Sequence, residues 1–339
     1  MPRRVLFRAD ASHGKGFGHV ARLCALIEEL QSRGDEPIPL FGGDAQALAS
    51  WARYHQLNAV VGDWSTTQTI HVAEEANVSA VVIDGPSLVD ELAPKLFERK
   101  IRTIVIDDKG GCLHACAAVV NHNVHADELR NTYVQAKKKL LGRRYAMLRK
   151  DIRRYTRGSC RPMTASRLRV IVTYGGSDPV DATSRTLRLL TDDRPLELVV
   201  IAGPAYQHDL QLRDAIDHAK SRGHTVDLRR APDDPGALFV SADAAICSAG
   251  GTLGELAYLG CPTLAYAIAG DQVVPARHSV RHGLIFGGRT WLDTDDDTLR
   301  SDFESFLLDD RGRLEQRQRA LATVDSDGAR RIVDEAIAT

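Results

Sequence analysis

No apolar run in this sequence approaches the ~20 residues that a membrane-spanning helix requires, so stable membrane insertion is not expected of it. An excess of charge of one sign is also missing. Lysine and arginine number 44 against 45 acidic residues, a net charge of −1. That balance leaves no global field for nucleic acid or an anionic membrane. Cysteine is sparse and unpatterned, with Cys24, Cys112, Cys116, Cys160, Cys247 and Cys261 scattered among apolar neighbours. This argues against a disulfide framework and for a reducing cytoplasm. The opening Met1-Pro2-Arg3-Arg4 runs straight into a strand pattern, so no signal peptide is expected. Low-complexity tracts and short repeats are absent as well.

What is present is a regular alternation of strand and helix patterns. The chain has 339 residues, more than one hydrophobic core usually serves, so two domains are expected. In the first half, strand patterns fall at 5–9, 36–41, 80–83, 103–106 and 118–121, separated by helical patterns at 20–33, 45–55, 67–75 and 88–98. Apolar β-branched runs such as Ala80-Val81-Val82-Ile83 suit strands buried on both faces of a parallel sheet. The alternation predicts an α/β fold of βαβ units in doubly wound sheets. It breaks near 151–167, a polar stretch punctuated by Gly158 and Pro162, which reads as a linker. A second series follows, with strands at 168–173, 196–202, 225–228, 244–247 and 263–266, and helices at 181–190, 206–221, 234–240 and 252–258. Residues 296–308, 311–322 and 326–337 read as closing helices. The resulting division is 1–152, a linker at 153–167, a second domain at 168–325 and a final helix at 326–339. Two such domains predict a ligand cleft between rows of strand ends.

The chemistry concentrates at those strand ends. After the first strand comes Gly14-Lys15-Gly16-Phe17-Gly18-His19. Gly16 and Gly18 let the backbone approach a substrate closely, and His19 offers acid–base chemistry near neutrality. The spacing is G-x-G-x-G, not the G-x-G-x-x-G of dinucleotide folds, and carries little by itself. Asp10, at the same strand end, can fix the His19 tautomer, bind a sugar or simply cap the loop, and Arg8 can pair with it. In the second half, Gly175 and Gly176 form a turn that can act as an anion nest or as an ordinary βα turn capped by Asp178 or Asp181. The run Ser248-Ala249-Gly250-Gly251-Thr252-Leu253-Gly254-Glu255 is more specific. It offers free N–H groups and two hydroxyls at a helix start, which suits a diphosphate, with Glu255 one turn in to hold a ribose or to favour the helix dipole. Asp271 and Gln272 follow another strand end and can reach sugar hydroxyls or cap a helix. Asn121 and Asn123 flank His122 in a similar position.

Other features have plainer readings. The basic run Lys137-Lys138-Lys139 through Arg143-Arg144 to Arg153-Arg154 reads as a solvated helix and linker. Cys112, His114 and Cys116 lack a second ligand pair, and His278 with His282 lack a third ligand, so no metal is expected. His13 reads as an exposed loop histidine and Tyr145 as a packing residue.

Taken together, these blocks resemble a known family. The matching elements are Leu6-Phe7-Arg8-Ala9-Asp10-Ala11-Ser12 with Gly16-Phe17-Gly18-His19-Val20, then Val105-Ile106-Asp107-Asp108, then Leu141-Gly142-Arg143-Arg144-Tyr145-Ala146-Met147-Leu148-Arg149. Tyr174-Gly175-Gly176-Ser177-Asp178-Pro179, Ser248 to Glu255, and Asp271-Gln272 complete them. The chain is similar to the nucleotide-sugar hydrolases of pseudaminic acid biosynthesis and their spore-coat polysaccharide relatives, related in fold to the UDP-GlcNAc transferase of peptidoglycan synthesis. The resemblance implies a GT-B architecture, two Rossmann-like domains facing a central cleft. It implies a catalytic histidine at His19, UDP on the Gly175-Gly176 and Ser248–Glu255 turns, and a final helix crossing back to the first domain. The implied reaction is hydrolysis of a UDP-linked diacetamido-trideoxy sugar. Water attacks the anomeric carbon, the C–O bond breaks with inversion and UDP leaves, with no cofactor. Two positions depart from the family pattern: Gly85-Pro86-Ser87 stands where a histidine and a tyrosine are usual, and Asp271 where asparagine is. A GT-B glycosyltransferase, a silent nucleotide-sugar binding protein and an epimerase are the competing readings.

Overall fold

The computed structural model describes the chain apart from residues 1, 12–15, 55–56, 162–166, 192–193 and 339, and apart from the side chains of 47, 50, 51, 53 and 54. It divides into two compact units, Met1–Lys150 with Ser326–Thr339, and Asp151–Asp325.

In the first unit, seven strands make one parallel sheet: β1 (Arg4–Ala11), β2 (Glu36–Gly43), β3 (Val60–Val61), β4 (Ala80–Asp84), β5 (Thr103–Ile106), β6 (Cys116–Asn121) and β7 (Ala136–Leu141). Their order is β3-β2-β1-β4-β5-β6-β7, so the winding reverses between β1 and β4. Every residue of β4 is buried, as expected of a strand covered on both faces. Leu6, Val81, Ile83, Val105 and Val119 pack into one core with Ile70, Leu92 and Leu96 from the Thr66–Glu75 and Pro86–Glu98 helices. Burying each such side chain contributes ~1.5–3 kcal/mol. The first of these helices starts on a capping box between Ser65 and Gln68, a reciprocal pair that satisfies two helix-end donors.

The second unit holds β8 (Arg169–Thr173), β9 (Glu197–Ala202), β10 (Thr225–Arg230), β11 (Ala244–Ser248), β12 (Thr263–Ala267) and β13 (Phe286–Thr290). The sheet order is β10-β9-β8-β11-β12-β13, all parallel, with the reversal between β8 and β11. Its core centres on Val170, Val172, Val200, Ile246, Tyr266, Trp291 and Phe303. Through Arg161, the stretch expected as a linker is built into this unit. Gly158 N donates to Tyr258 O at 3.0 Å, Cys160 N to Leu259 O at 2.9 Å and Arg161 N to Val240 O at 3.0 Å. The Arg317 guanidinium ties down the carbonyls of Gly158, Cys160 and Arg161.

The chain's last segment packs in the first unit. It forms a helix at Gly328–Ile332 and a wider π turn at Val333–Ile337. Ile332, Val333 and Ala336 are fully buried. Arg33 pairs with Asp334 at 2.6 Å, and Arg102 donates to the Ala336 carbonyl at 2.8 Å. Tyr145 is buried here and donates to Glu335 at 3.2 Å. Lys137, Lys138 and Lys139 correct the reading of a solvated helix: they lie on β7, the outermost strand of its sheet. Lysines there blunt an unpaired strand edge, and their polarity hides the strand from periodicity.

Candidate active site

In open α/β sheets ligands bind at the carboxyl ends of strands, where the winding reverses. In the first unit that point is the end of β1 and β4, and His19 and Asp84 meet there. His19 stands in the first turn of the Gly18–Ser32 helix. Its Nδ1 lies 2.7 Å from Asp84 Oδ1. Asp84, the last residue of β4, is fully buried.

Arg22, one turn further along the same helix, clamps the carboxylates. Its Nε donates to Asp84 Oδ2 and its Nη2 to Asp84 Oδ1, both at 2.6 Å. Its Nη1 donates to Asp108 Oδ2 at 2.6 Å. Arg22 Nη2 also lies 3.1 Å from His19 Nδ1. One ring nitrogen cannot both accept from arginine and donate to the carboxylate. The arginine already donates to Asp84 and the carboxylate contact is shorter, so Nδ1–H donates to Asp84. The proton is thereby fixed on Nδ1, and Nε2 has no hydrogen-bond partner among the described residues.

The charges explain the proton affinities. Two carboxylates face one guanidinium, so an imidazolium completes local neutrality. The Asp84 charge raises the His19 pKa above its ordinary value, against the cost of burial. Burial opposes the charge on Asp84, but Arg22 and His19 outweigh it and hold its pKa below the usual carboxylate range. Asp108 is likewise held low by Arg22 against burial. Burial also works against the Arg22 charge, and the two aspartates more than offset it.

Asp10 does not take the role of fixing the imidazole. Its Oδ1 accepts from Arg8 Nη1 at 2.5 Å, and Asp84 holds the histidine instead. Gly42 makes room for that pair: a Cβ there would come within 2.4 Å of Asp10 Oδ1. Asn121 and Asn123 form an internal network. Asn121 donates to Tyr133 Oη at 3.0 Å, while its Oδ1 accepts from Asn123, and Asn123 Nδ2 donates to Asp108 Oδ1 at 2.9 Å. Gly16 and Gly18 lie at the start of the helix, Gly16 with φ of +74°. Ser12, His13, Gly14 and Lys15 lie outside the described residues. Gly85 takes φ of +127° directly after Asp84, and exposed Pro86 and Ser87 open the next helix.

In the second unit the glycine turns after β8 and β11 stand side by side at the other reversal. An added Cβ on Gly175 would lie 3.9 Å from Ser248 Oγ. One on Gly250 would lie 3.4 Å from Gln272 Nε2 and 3.8 Å from Ser248 Oγ. Three successive loops thus bring Gly175, Ser248, Gly250 and Gln272 together. Gly251 is the N-cap of the Thr252–Leu259 helix and supplies no side-chain cap. Leu253 N and Gly254 N turn back to the Gly250 and Gly251 carbonyls at 3.1 and 3.0 Å, while among the described residues the amides of Gly251 and Thr252 have no backbone acceptor and can face an anion. Glu255 is half-buried one turn in. Gly176 is gripped from behind, its carbonyl accepting from Ala205 N at 2.9 Å. Gln272 Oε1 accepts from Ile268 N at 3.0 Å, which leaves its amide nitrogen toward Gly250. Asp271 is half-buried beside it. Asp178, not Asp181, receives the helix amides of Ala182 and Thr183, at 2.9 and 2.8 Å. Asp181 is bonded instead by Ser184 and Tyr206.

Asp84, Arg22 and Asp108 went unassigned in the sequence reading. Their signal was available: His19 and Arg22 are three apart on one helix face, and Asp84 and Asp108 end or follow buried strands.

Comparison with solved structures follows the architecture. The chain is similar to Acinetobacter baumannii MurG, with a TM-score of 0.70 at 15% identity, covering 100% of both chains. The fold is GT-B. The spinosyn rhamnosyltransferase SpnG, solved with thymidine diphosphate, gives 0.67 at 16% identity over 98% of this chain and 100% of its own. S. aureus MnaA, solved with UDP, gives 0.65 at 11% over 98% and 95%. No protein-family model matches the sequence, and no curated protein matches it.

Proposed function

We propose that this protein is an enzyme that hydrolyses a UDP-linked amino or deoxy sugar. Water attacks the anomeric carbon, the C–O bond breaks with inversion, and UDP and free sugar are released. The observation that carries this reading is the His19–Asp84 contact of 2.7 Å with Nδ1 as donor. A carboxylate that fixes Nδ1–H leaves Nε2 as the lone pair for a general base, the geometry by which a histidine takes a proton from a nucleophile. Asp84 is thus the orienting carboxylate, held by Arg22, which Asp108 in turn holds.

The transition state is oxocarbenium-like, with negative charge growing on the diphosphate. The Gly175-Gly176 turn, Ser248, Gly250, Gly251 and Thr252 would stabilise that charge through preorganised N–H and hydroxyl donors. Glu255 would hold the ribose. Gly16, Gly18, Asp271 and Gln272 would contact the glycosyl part, and Asn121 and Asn123 would act at one remove through Asp108. SpnG and MnaA were each solved with a nucleoside diphosphate, which supports a ligand of that class here. Uridine rests on the resemblance.

A second reading is a glycosyltransferase. SpnG is a rhamnosyltransferase, and the same free Nε2 would deprotonate a sugar hydroxyl as readily as water. A proton NMR time course with UDP-2,4-diacetamido-2,4,6-trideoxy-altrose and UDP-GlcNAc, without acceptor, separates them. Release of free sugar supports hydrolysis. UDP binding without turnover supports transfer.

A further inference from the structure

Among the described residues, Arg143 of the first unit has no carboxylate partner for its guanidinium although its Nε is buried. Arg143 follows Gly142 at the end of β7, beside the end of β6, since Gly142 N donates to Asn121 O at 2.9 Å. Its Nε is buried and makes no hydrogen bond among the described residues. Among the described residues no carboxylate pairs with its guanidinium, and burial alone acts on its pKa, pushing it down to about 10. His122 follows the end of the neighbouring β6, and the Arg143 charge acts on it. Its Nδ1 is buried without a partner among the described residues, and its Nε2 is 3.9 Å from Asp108 Oδ1, beyond hydrogen-bond length. Burial, with Arg22 next, pushes the His122 pKa down to about 4, so the imidazole is neutral near pH 7. Nearby, Asp84 and Asp108 pair with Arg22, and Asp84 also with His19, while Asp107 accepts the backbone amides of Lys109, Gly110 and Cys112. Arg143 is half-buried, and a guanidinium whose Nε is buried without an acceptor carries a cost. Its position at the carboxyl edge of the sheet is where a ligand lies in this architecture.

We propose that Arg143 and His122 form an oxyanion-binding subsite. The guanidinium would take a carboxylate or phosphate oxygen of the ligand, and neutral His122 would supply a hydrogen bond beside it. The inference deepens the nucleotide-sugar reading and rests on it. Two sources fit the chemistry, the diphosphate or an acidic group on the glycosyl unit.

The test is calorimetric titration of the full chain with UDP, UDP-glucose and UDP-glucuronate, for wild type, Arg143→Met, Arg143→Lys and His122→Phe. A charge-assisted pair is worth enough that its loss weakens binding about 10- to 100-fold. If the partner is the diphosphate, Arg143→Met weakens all three ligands and Arg143→Lys restores part of the loss. If it is a glycosyl carboxylate, only UDP-glucuronate weakens, and wild type prefers it to UDP-glucose. Unchanged affinities for all three ligands in a folded Arg143→Met protein would overturn the subsite while leaving the nucleotide reading intact. Failure of wild type to bind UDP would instead remove the reading beneath it. Circular dichroism checks folding, and Arg143→Lys keeps the test open if the methionine variant fails to fold.

Discussion

The proton on His19 is the point at which sequence and chemistry meet. Replacing His19 by alanine or asparagine should lower turnover by ~10²–10⁴-fold and leave UDP affinity unchanged, measured as kcat beside a UDP dissociation constant. Equal losses in both would make the histidine structural. The pH profile follows from charge. Base catalysis needs neutral His19, and Asp84 raises its pKa, so the acidic limb of kcat should lie above the ordinary histidine value of ~6.5. Asp108 also raises it, so Asp108→Asn should move the limb to lower pH. A limb that stays fixed would separate the titration from His19. The same shifts act on stability with opposite signs. The raised His19 pKa contributes stability that is full below ~6.5 and is lost as pH rises through the folded value. The lowered Asp84 pKa contributes stability above ~3.9 that is lost as pH falls through the folded value. Asp84 was hard to assign from sequence because it ends an apolar run and reads as strand punctuation. Only the sheet order, which sets β4 beside β1, shows that its carboxylate meets His19. Asp10 is nearer to the glycine loop in sequence, but the neighbouring Arg8 occupies it.

Among the elements, close backbone packing gives the sharpest tests. Gly203 follows β9, and a Cβ there would stand 2.4 Å from Gly176 O and 2.5 Å from Gly175 O. Gly203→Ala must therefore push on the proposed phosphate turn, and UDP affinity should fall although Gly203 is not a proposed ligand. Unaltered UDP binding would remove the turn from the nucleotide site. Gly328 lies against the Ala146 carbonyl, where a Cβ would come within 2.1 Å. Gly328→Ala should cost ~1–3 kcal/mol, read as a lower denaturation midpoint, because it lifts the closing segment from the first unit. Periodicity found the buried strands, such as β4, β5 and β11, and also β10, which has no fully buried residue. Those it passed over have physical reasons to be quiet. β3 spans Val60–Val61 only, β7 carries lysines on an outer edge, and β13 contains Gly287 and Gly288, both at positive φ. The glycine turns were legible because few other residue types fit them. The carboxylate–arginine clamp was not, because it joins residues 62 and 86 positions apart.

At the scale of the whole molecule, the proposed labour is divided, with nucleotide binding in Asp151–Asp325 and base chemistry in the unit that contains His19. Saturating UDP at about 100 times its dissociation constant should stabilise the folded protein by ~2.7 kcal/mol. Hydrogen exchange should slow at Gly175–Gly176, at 248–252 and at 271–272. Protection confined to the His19 turn would contradict that division. The most direct test of the central claim is the NMR time course with UDP-2,4-diacetamido-2,4,6-trideoxy-altrose in water, without acceptor, for wild type and His19→Ala. The account predicts UDP and free sugar of inverted anomeric configuration from wild type and almost none from the variant. Undiminished turnover by His19→Ala, or no hydrolysis by a wild-type protein that binds UDP, would contradict it.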